Sequence, residues 1–290
     1  MKKIAVFGGS GFIGSYLIES LLSRKYEVFS IDLKEPKIET TATFIQCDIL
    51  DRSSIQKVFQ KHQFDFVYNL AGFANLDKAV EFPIETFELN VMGNLYILEE
   101  CKRQNVSRFI YASSAYAMND KGSFYGVSKL SSEKIIEEYH KKYGLNYTIL
   151  RYGSLYSERD FENNYIYNLV EKAIETGKIN HGGDGNEIRE YIHAADAAKL
   201  SVDVIEDDEY AEKHIILTGV ERYKRIDLFN LINEILGNKI EINLSNDGYS
   251  NHYKFSPYSF TPEQSQKLVP NPFIDMGQGI LNCISKIHNK

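Results

Sequence analysis

A short apolar run, Ile4-Ala5-Val6-Phe7, leads into Gly8-Gly9-Ser10-Gly11-Phe12-Ile13-Gly14. Tyr16, Leu17, Ile18, Leu21 and Leu22 then recur at helical spacing. Strand, glycine turn and helix in that order confine the chain to few folds. The alternation continues. Strands are expected at 28–31, ending at Asp32, and at 43–46, ending at Asp48. Others are expected at 64–70, ending at Ala71-Gly72, at 108–111, ending at Ser113-Ser114, and at 146–151. Helices are expected at 53–61 behind Asp51 as a cap, at 85–103, and at 124–143 before Gly144. Strands alternating with helices form a parallel, doubly wound α/β sheet. The polar candidates end strands, where open sheets of this kind bind ligands.

Beyond residue 153 the alternation weakens. Helical spacing recurs at 163–176, 194–205 and 226–236, with strands at 214–217 and 239–244 and a turn at 182–185. The stretch 247–272, rich in Tyr, Ser, Asn and Pro, reads as mostly loop. The expected organisation is a dinucleotide-binding domain over 1–153 and a smaller substrate lobe over 154–290, with 189–219 returning to the first domain.

With 43% hydrophobic and 25% charged residues, no part of the chain need be disordered for want of apolar side chains. The net charge of −7 argues against nucleic acid, whose binding depends on neutralising phosphates. Cys47, Cys101 and Cys283 are odd in number and widely spaced, so neither a disulfide framework nor a thiol metal site is expected. The seven histidines form no metal-ligand spacing. No run reaches the roughly 20 apolar residues of a membrane helix, and no secretory leader is apparent. The chain reads as cytoplasmic, without membrane or nucleic-acid partners.

The glycine loop fits G-x-x-G-x-x-G through Gly8, Gly11 and Gly14, and G-x-G-x-x-G through Gly9, Gly11 and Gly14. Either register lets a backbone approach a pyrophosphate whose charge meets the N-terminus of the next helix. Asp32 lies at the distance of an acidic ribose anchor and favours NAD over NADP, a preference that Lys34 softens. Asp48 is placed to hold an adenine amino group, or else is a turn residue.

Tyr125-Gly126-Val127-Ser128-Lys129 puts a phenol and an ammonium on one face of a helix. A free tyrosine has a pKa of about 10, and lowering it by about 3 units takes about 4 kcal/mol. One positive charge about 5 Å away supplies about 3 kcal/mol at an effective dielectric of about 20. Lys129 and an oxidised nicotinamide together reach the requirement. Ser114 is placed to hydrogen-bond a substrate oxygen as hydroxyl becomes ketone. Ser113 is more ambiguous and lines the cofactor site at most.

These residues resemble the extended short-chain dehydrogenase/reductases that act on nucleotide sugars, the NAD-dependent epimerase/dehydratase group with its UDP-glucose 4-epimerases. The resemblance covers nearly the whole chain. It rests on the glycine loop, Asp48-Ile49, Asn69-Leu70-Ala71-Gly72, Asn90-Val91-Met92-Gly93, Ser113-Ser114-Ala115, Tyr125-x-x-x-Lys129, 150–156, Gly183-Asp184-Gly185 and Arg189-Glu190-Tyr191-Ile192-His193-Ala194-Ala195-Asp196. It implies a Rossmann domain and NAD as cofactor. The cofactor would be contacted by Gly8, Ser10, Gly11, Phe12, Ile13, Gly14, Asp32, Asp48, Ile49, Leu70, Ala71, Gly72 and Asn90. Ala112, Ser113, Tyr125, Lys129 and Tyr152 would complete that set. It implies Ser114, Tyr125 and Lys129 as catalytic residues, and Ser114, Ser154 and Arg189 as contacts to a nucleotide-diphosphate sugar. Arg189 would meet the diphosphate, its alternative being a structural ion pair. The helices over 85–103 and 124–143 resemble the pair that forms a four-helix homodimer interface, although the second carries a fairly polar outer face.

The departures are informative. The 4,6-dehydratases of the group carry Asp-Glu directly after the catalytic Ser/Thr, where this chain has Ala115-Tyr116. The usual Val-Tyr-Gly is Ala117-Met118-Asn119, and the usual asparagine is Ser154. The implied activity is oxidation of a ring hydroxyl at C4, followed by return of the hydride in an epimerase. A net dehydrogenase, a 4-ketoreductase and a non-catalytic NAD-sensing regulator stay open. His193 reads as structural, and His181, before a glycine turn, as a solvated loop residue rather than one facing the substrate. The acidic run 206–209 reads as solvated, and Tyr249, Tyr253, Phe255, Tyr258 and Phe260 as packing, the alternatives being a stack on a base or a cover for the sugar.

Overall fold

A computed structural model describes residues 1–118, 121–245, 254 and 266–290. In chain order its regular elements begin β1 (Lys3–Phe7), α1 (Phe12–Ser23), β2 (Glu27–Asp32), β3 (Thr43–Gln46), α2 (Arg52–Lys61), β4 (Phe66–Asn69), α3 (Leu76–Glu81) and α4 (Pro83–Phe87). They continue with α5 (Asn94–Gln104), β5 (Arg108–Ser114), α6 (Ser123–Tyr143), β6 (Tyr147–Tyr152), β7 (Ser154–Tyr156), α7 (Tyr165–Thr176), β8 (Lys178–His181) and β9 (Ile188–His193). The last are α8 (Ala194–Glu206), β10 (Lys213–Leu217), β11 (Arg222–Lys224), α9 (Arg225–Ile235), β12 (Glu241–Leu244), β13 (Gln266–Leu268) and α10 (Met276–His288).

Eight parallel strands form the main sheet in the order β13-β10-β6-β5-β4-β1-β2-β3. Strand β1 lies between β2 and β4, so the winding reverses there and opens a crevice at the carboxyl ends. The strands alternate between two cores. Ile4 and Val6 pack with Leu17, Leu21 and the inner face of α8, while Ala5 and Phe7 pack with Ile55, Ile97, Leu98 and Ile136. Burial on both faces is why these strands read as continuous apolar runs.

Local signals account for the helix ends. Asp51 caps α2 by accepting from the Ser53 N–H at 2.9 Å. Gly144 ends α6 in a left-handed conformation. The helix expected at 85–103 is α4 and α5 joined by a stretch of π-helix, Glu88–Gly93. The extra residue in that turn leaves no mark on the amphipathic pattern.

A third core, built on Tyr156, Tyr167, Val170, Phe229, Ile232 and Ile280, defines the smaller lobe. It carries a three-stranded sheet, β11-β9-β7, and a pair, β12-β8. Within 189–219, β9 belongs to that lobe, whereas α8 packs on the α1 face of the main sheet and β10 pairs with β6. Within the tail read as mostly loop, Gln266–Leu268 forms β13, the outermost strand beside β10. The acidic run 206–209 is exposed along its length, as expected. Buried Arg108 donates to Val204 O at 2.5 Å and to Asp208 at 2.6 Å, tying β5 to the end of α8. Among the described residues no helix is long and apolar enough to cross a membrane.

Candidate active site

The crevice at the switch point is a cleft of about 460 Å3, within the range of small-molecule and cofactor sites. Its floor is the glycine loop. Gly8 has φ +80°, and a Cβ there would lie 2.6 Å from Ala71 N; one on Gly14 would lie 2.2 Å from Gly8 O. The loop is therefore packed too closely for side chains. Helix α1 starts behind Gly11, which offers no side-chain cap, so N–H groups of its first turn face the cleft end unsatisfied by a cap. Asp32 is held from two sides, accepting from Ser10 N at 3.0 Å and Lys34 N at 3.2 Å, and it lines the cleft. Asp48, Ile49, Leu70, Ala71 and Gly72 continue the wall. Glycine cradle, uncapped helix end and anchored carboxylate fit a nicotinamide dinucleotide, whose diphosphate α1 would hold and whose ribose Asp32 would hold.

The far wall carries Ala112, Ser113, Ser114, Tyr125, Lys129 and Tyr152, along with Gly11, Phe12, Ile13 and Gly14 from the floor side. Strand β5 delivers the serines and α6 delivers Tyr125 and Lys129 from one face. The Lys129 ammonium donates to Ala112 O at 2.8 Å and sits 4.9 Å from the Tyr111 ring centre and 5.9 Å from that of Tyr125. Burial pushes its pKa down to about 8, partly opposed by the negative charge of Glu133. The Ser114 hydroxyl accepts from Tyr116 N at 3.3 Å. Tyr116 packs edge-on against Tyr125, with ring centres 6.3 Å apart.

Four expected contacts lie off this cleft surface. Ser10 presents its backbone to Asp32 instead. Buried Asn90 accepts from Phe73 N at 2.7 Å and donates to Ser128 Oγ at 2.9 Å, so it holds the Gly72-Phe73 turn against α6. Ser154 lies on β7 in the smaller lobe. Arg189, also buried, donates to Ile188 O at 2.8 Å. The aromatics Tyr249, Tyr253, Phe255, Tyr258 and Phe260, and Asn119, lie outside the described residues. His181 is not solvated: it packs against Phe229 and meets Glu187 at 3.1 Å, both side chains nearly buried. His193 is buried and pairs with Glu158 at 3.0 Å.

Three features behind or on the wall escaped the sequence reading. Asn163 and Leu33 line the cleft with no motif to mark them. Glu133, one turn beyond Lys129 on α6, is fully buried. It accepts from Ser113 Oγ at 2.5 Å and from Arg151 at 2.9 and 2.6 Å, with His214 at 3.5 Å. Ser113 therefore lines the cleft while its hydroxyl turns away from it. Burial raises the Glu133 pKa, but Arg151, His214 and Ser113 outweigh it and hold the carboxyl down at about 2. The spacing of four from Lys129 could have flagged Glu133. Among the described residues no group of acidic, histidine or cysteine side chains stands ready to hold a metal.

Comparison with known proteins gives the chain's relatives. Over 99% of its length the chain is 26% identical to a putative UDP-glucose 4-epimerase of Methanocaldococcus jannaschii, covering 98% of that protein. It is 30% identical to the UDP-glucose 4-epimerase of Erwinia amylovora, over 78% of this chain and 77% of that one. The structure of UDP-glucose 4-epimerase from Thermotoga maritima, solved with UDP-glucose, superposes with a TM-score of 0.85 over 99% of both chains at 24% identity, which speaks for the fold. The model of the NAD dependent epimerase/dehydratase family matches residues 4–219, the stretch that holds the glycine loop, Asp32, Ser114, Tyr125, Lys129 and Arg189, and the chain belongs to that family.

Proposed function

We propose that the protein is a nucleotide-sugar 4-epimerase that oxidises the C4 hydroxyl of a nucleotide-diphosphate sugar and reduces the resulting ketone on the other face. The observation that carries this reading is the meeting of Ser114, Tyr125 and Lys129 on one wall of a cleft whose floor is a dinucleotide loop. The names of the relatives support the sugar nucleotide. NAD, held by the glycine loop and Asp32, supplies a hydride acceptor and donor when bound. Tyr125 takes the proton of the C4 hydroxyl and returns it to the opposite alkoxide. Lys129 favours the phenolate electrostatically, and Ser114 hydrogen-bonds the C4 oxygen in both oxidation states. Ala115-Tyr116 offers no acid–base pair behind Ser114, which disfavours 4,6-dehydration. Arg189 and Ser154 remain our substrate-contact candidates in the smaller lobe.

The test is a panel of UDP-, GDP-, CDP- and dTDP-sugars followed by NMR and by nicotinamide absorbance. Inversion at C4 without net absorbance change is expected. Stoichiometric change in nicotinamide oxidation level would replace the epimerase with a dehydrogenase or reductase. Ligand-dependent assembly without turnover would favour a sensor.

The working unit we propose is a homodimer. Pro83, Ile84, Phe87, Val91, Met92 and Phe124 line an apolar groove between α4, the π-helical stretch and α6. Val127 and Leu130 extend the same face of α6, exposed at 54% and 40%. The outer surface of α6 is thus more apolar near its start than its serines and lysines imply. A second copy laying the same helices into the groove would bury both faces.

A further inference from the structure

The segment 157–164 leaves β7 and crosses from the smaller lobe to the rim of the dinucleotide cleft. It is held in shape from within. Asn164, fully buried, donates to the carbonyls of Ser157 and Arg159, both at 2.7 Å, and its own N–H reaches Phe161 O at 2.9 Å. The buried Cys283 thiol donates to Ser157 O at 3.2 Å, which pins the base of the segment to α10.

Its outer side meets the loops at the carboxyl ends of three neighbouring strands. At the loop after β1, the Phe161 ring lies 5.7 Å from that of Phe12, a residue of the cleft floor. At the loop after β2, the Lys37 ammonium lies 5.4 Å from the Phe161 ring centre. Beyond β4, Glu162 pairs with Lys78 on α3. Along α1, the Arg159 guanidinium stacks 3.6 Å from the Tyr16 ring centre, donates to Ser15 Oγ at 2.7 Å and pairs with Glu19. Glu158 accepts from the Tyr16 hydroxyl at 2.9 Å and meets buried His193 at 3.0 Å. Asn163, next to last in the segment, lies on the cleft wall.

We propose that 157–164 is a retaining strap across the cofactor cleft, and that Arg159 and Phe161 are the residues that set how long a bound nicotinamide dinucleotide stays. The proposal rests on the dinucleotide reading of the cleft. Arg159 and Phe161 do not line the cleft themselves. They grip Phe12, Ser15 and Tyr16 in the first turns of α1, whose N-terminal end would meet the diphosphate. With Asn163 on the wall they hold that end of the cleft in the shape that retains a dinucleotide. Most of these contacts are half-buried or buried, unlike the exposed Lys78–Glu162 pair, and so are little screened by salt. A strap of this kind keeps oxidising and reducing equivalents on one chain between the two halves of a reaction. An isomerisation needs that; a net oxidation is slowed by it.

The test measures dissociation of NAD from purified holoprotein after dilution, by rapid ultrafiltration and an enzymatic cycling assay, in the absence of any sugar. Arg159→Ala and Phe161→Ala are expected to release NAD at least tenfold faster than wild type, with unchanged circular dichroism. Arg24→Gln is the control, because Arg24 joins the far end of α1 to Asp203 and Glu206 and its loss loosens the helix without touching the strap. It is expected to stay within twofold. If an alanine variant fails to fold, Arg159→Lys and Phe161→Leu replace it, with at least a threefold acceleration expected. Release at the wild-type rate from folded strap variants would overturn the strap alone. Equal acceleration by Arg24→Gln would assign the effect to α1 and overturn it too. A wild-type protein that binds no nicotinamide dinucleotide would overturn the cleft reading first, and the strap with it.

Discussion

Lys129 shares a helix face with Tyr125 and carries its charge in a dry place. Lys129 is buried and costs the fold something as a cation, and that cost is visible in its pKa of about 8. The folded value lies below the ordinary one, so the unfolded chain binds more protons between about pH 8 and the usual lysine value near 10.5, and stability rises with pH across that window. Lys129→Met should therefore abolish turnover and flatten that rise, gaining up to about 3 kcal/mol relative to wild type below pH 8. Urea denaturation at a series of pH values checks this, and a variant that keeps the wild-type slope would contradict it. Tyr125→Phe removes the proton acceptor alone, and kcat should fall by about 10²–10⁴ with substrate affinity within a few-fold. Much at this scale was legible in the sequence. Glycines, Asp32 and the Tyr-x-x-x-Lys spacing announce themselves because each chemistry needs one residue type at one offset. Asn163 was not legible: the helical spacing read from 163 takes hold only at Tyr165, and Asn163 reaches the cleft from the turn before it.

The interior of the sheet is tied to α6 by one buried ion pair. Glu133 joins Ser113 on β5 to Arg151 on β6, directly behind the wall that carries Ser114. Its folded pKa of about 2 is below the ordinary 4.5, so its contribution is complete above about pH 4.5 and is lost as pH falls toward about 2. Glu133→Gln leaves Arg151 buried and should cost about 3–5 kcal/mol at pH 7. That difference should shrink as pH is lowered through the same window, as equilibrium denaturation of both proteins would record. Elements with a strong period were readable: β1, α1, β2 and α6 follow from their apolar spacing. The π-helical turn at Glu88–Gly93 was not, because an inserted residue shifts the helix face by less than the width of its apolar stripe. Strand β13 was unreadable for another reason. Three residues, Gln266-Lys267-Leu268, join the sheet through backbone pairing, which no side-chain pattern encodes.

For the whole molecule, the apolar face on α4 and α6 predicts an assembly. Ile84, 75% exposed, and Val127 lie on that face. Ile84→Glu with Val127→Glu should convert a dimer to a monomer by light scattering while leaving secondary structure intact. A wild-type monomer at tens of micromolar would reject the dimer. The order of the main sheet also bears on how the protein is made. Strand β10 presents Ile215, Ile216 and Leu217, and its outer side is covered by residues that the ribosome supplies some fifty positions later. Until Gln266–Leu268 emerge, a nascent chain carries an apolar strand edge open to pairing with its neighbours. A chain stopped after residue 245 should consequently be recovered as aggregate rather than as a soluble dinucleotide-binding half.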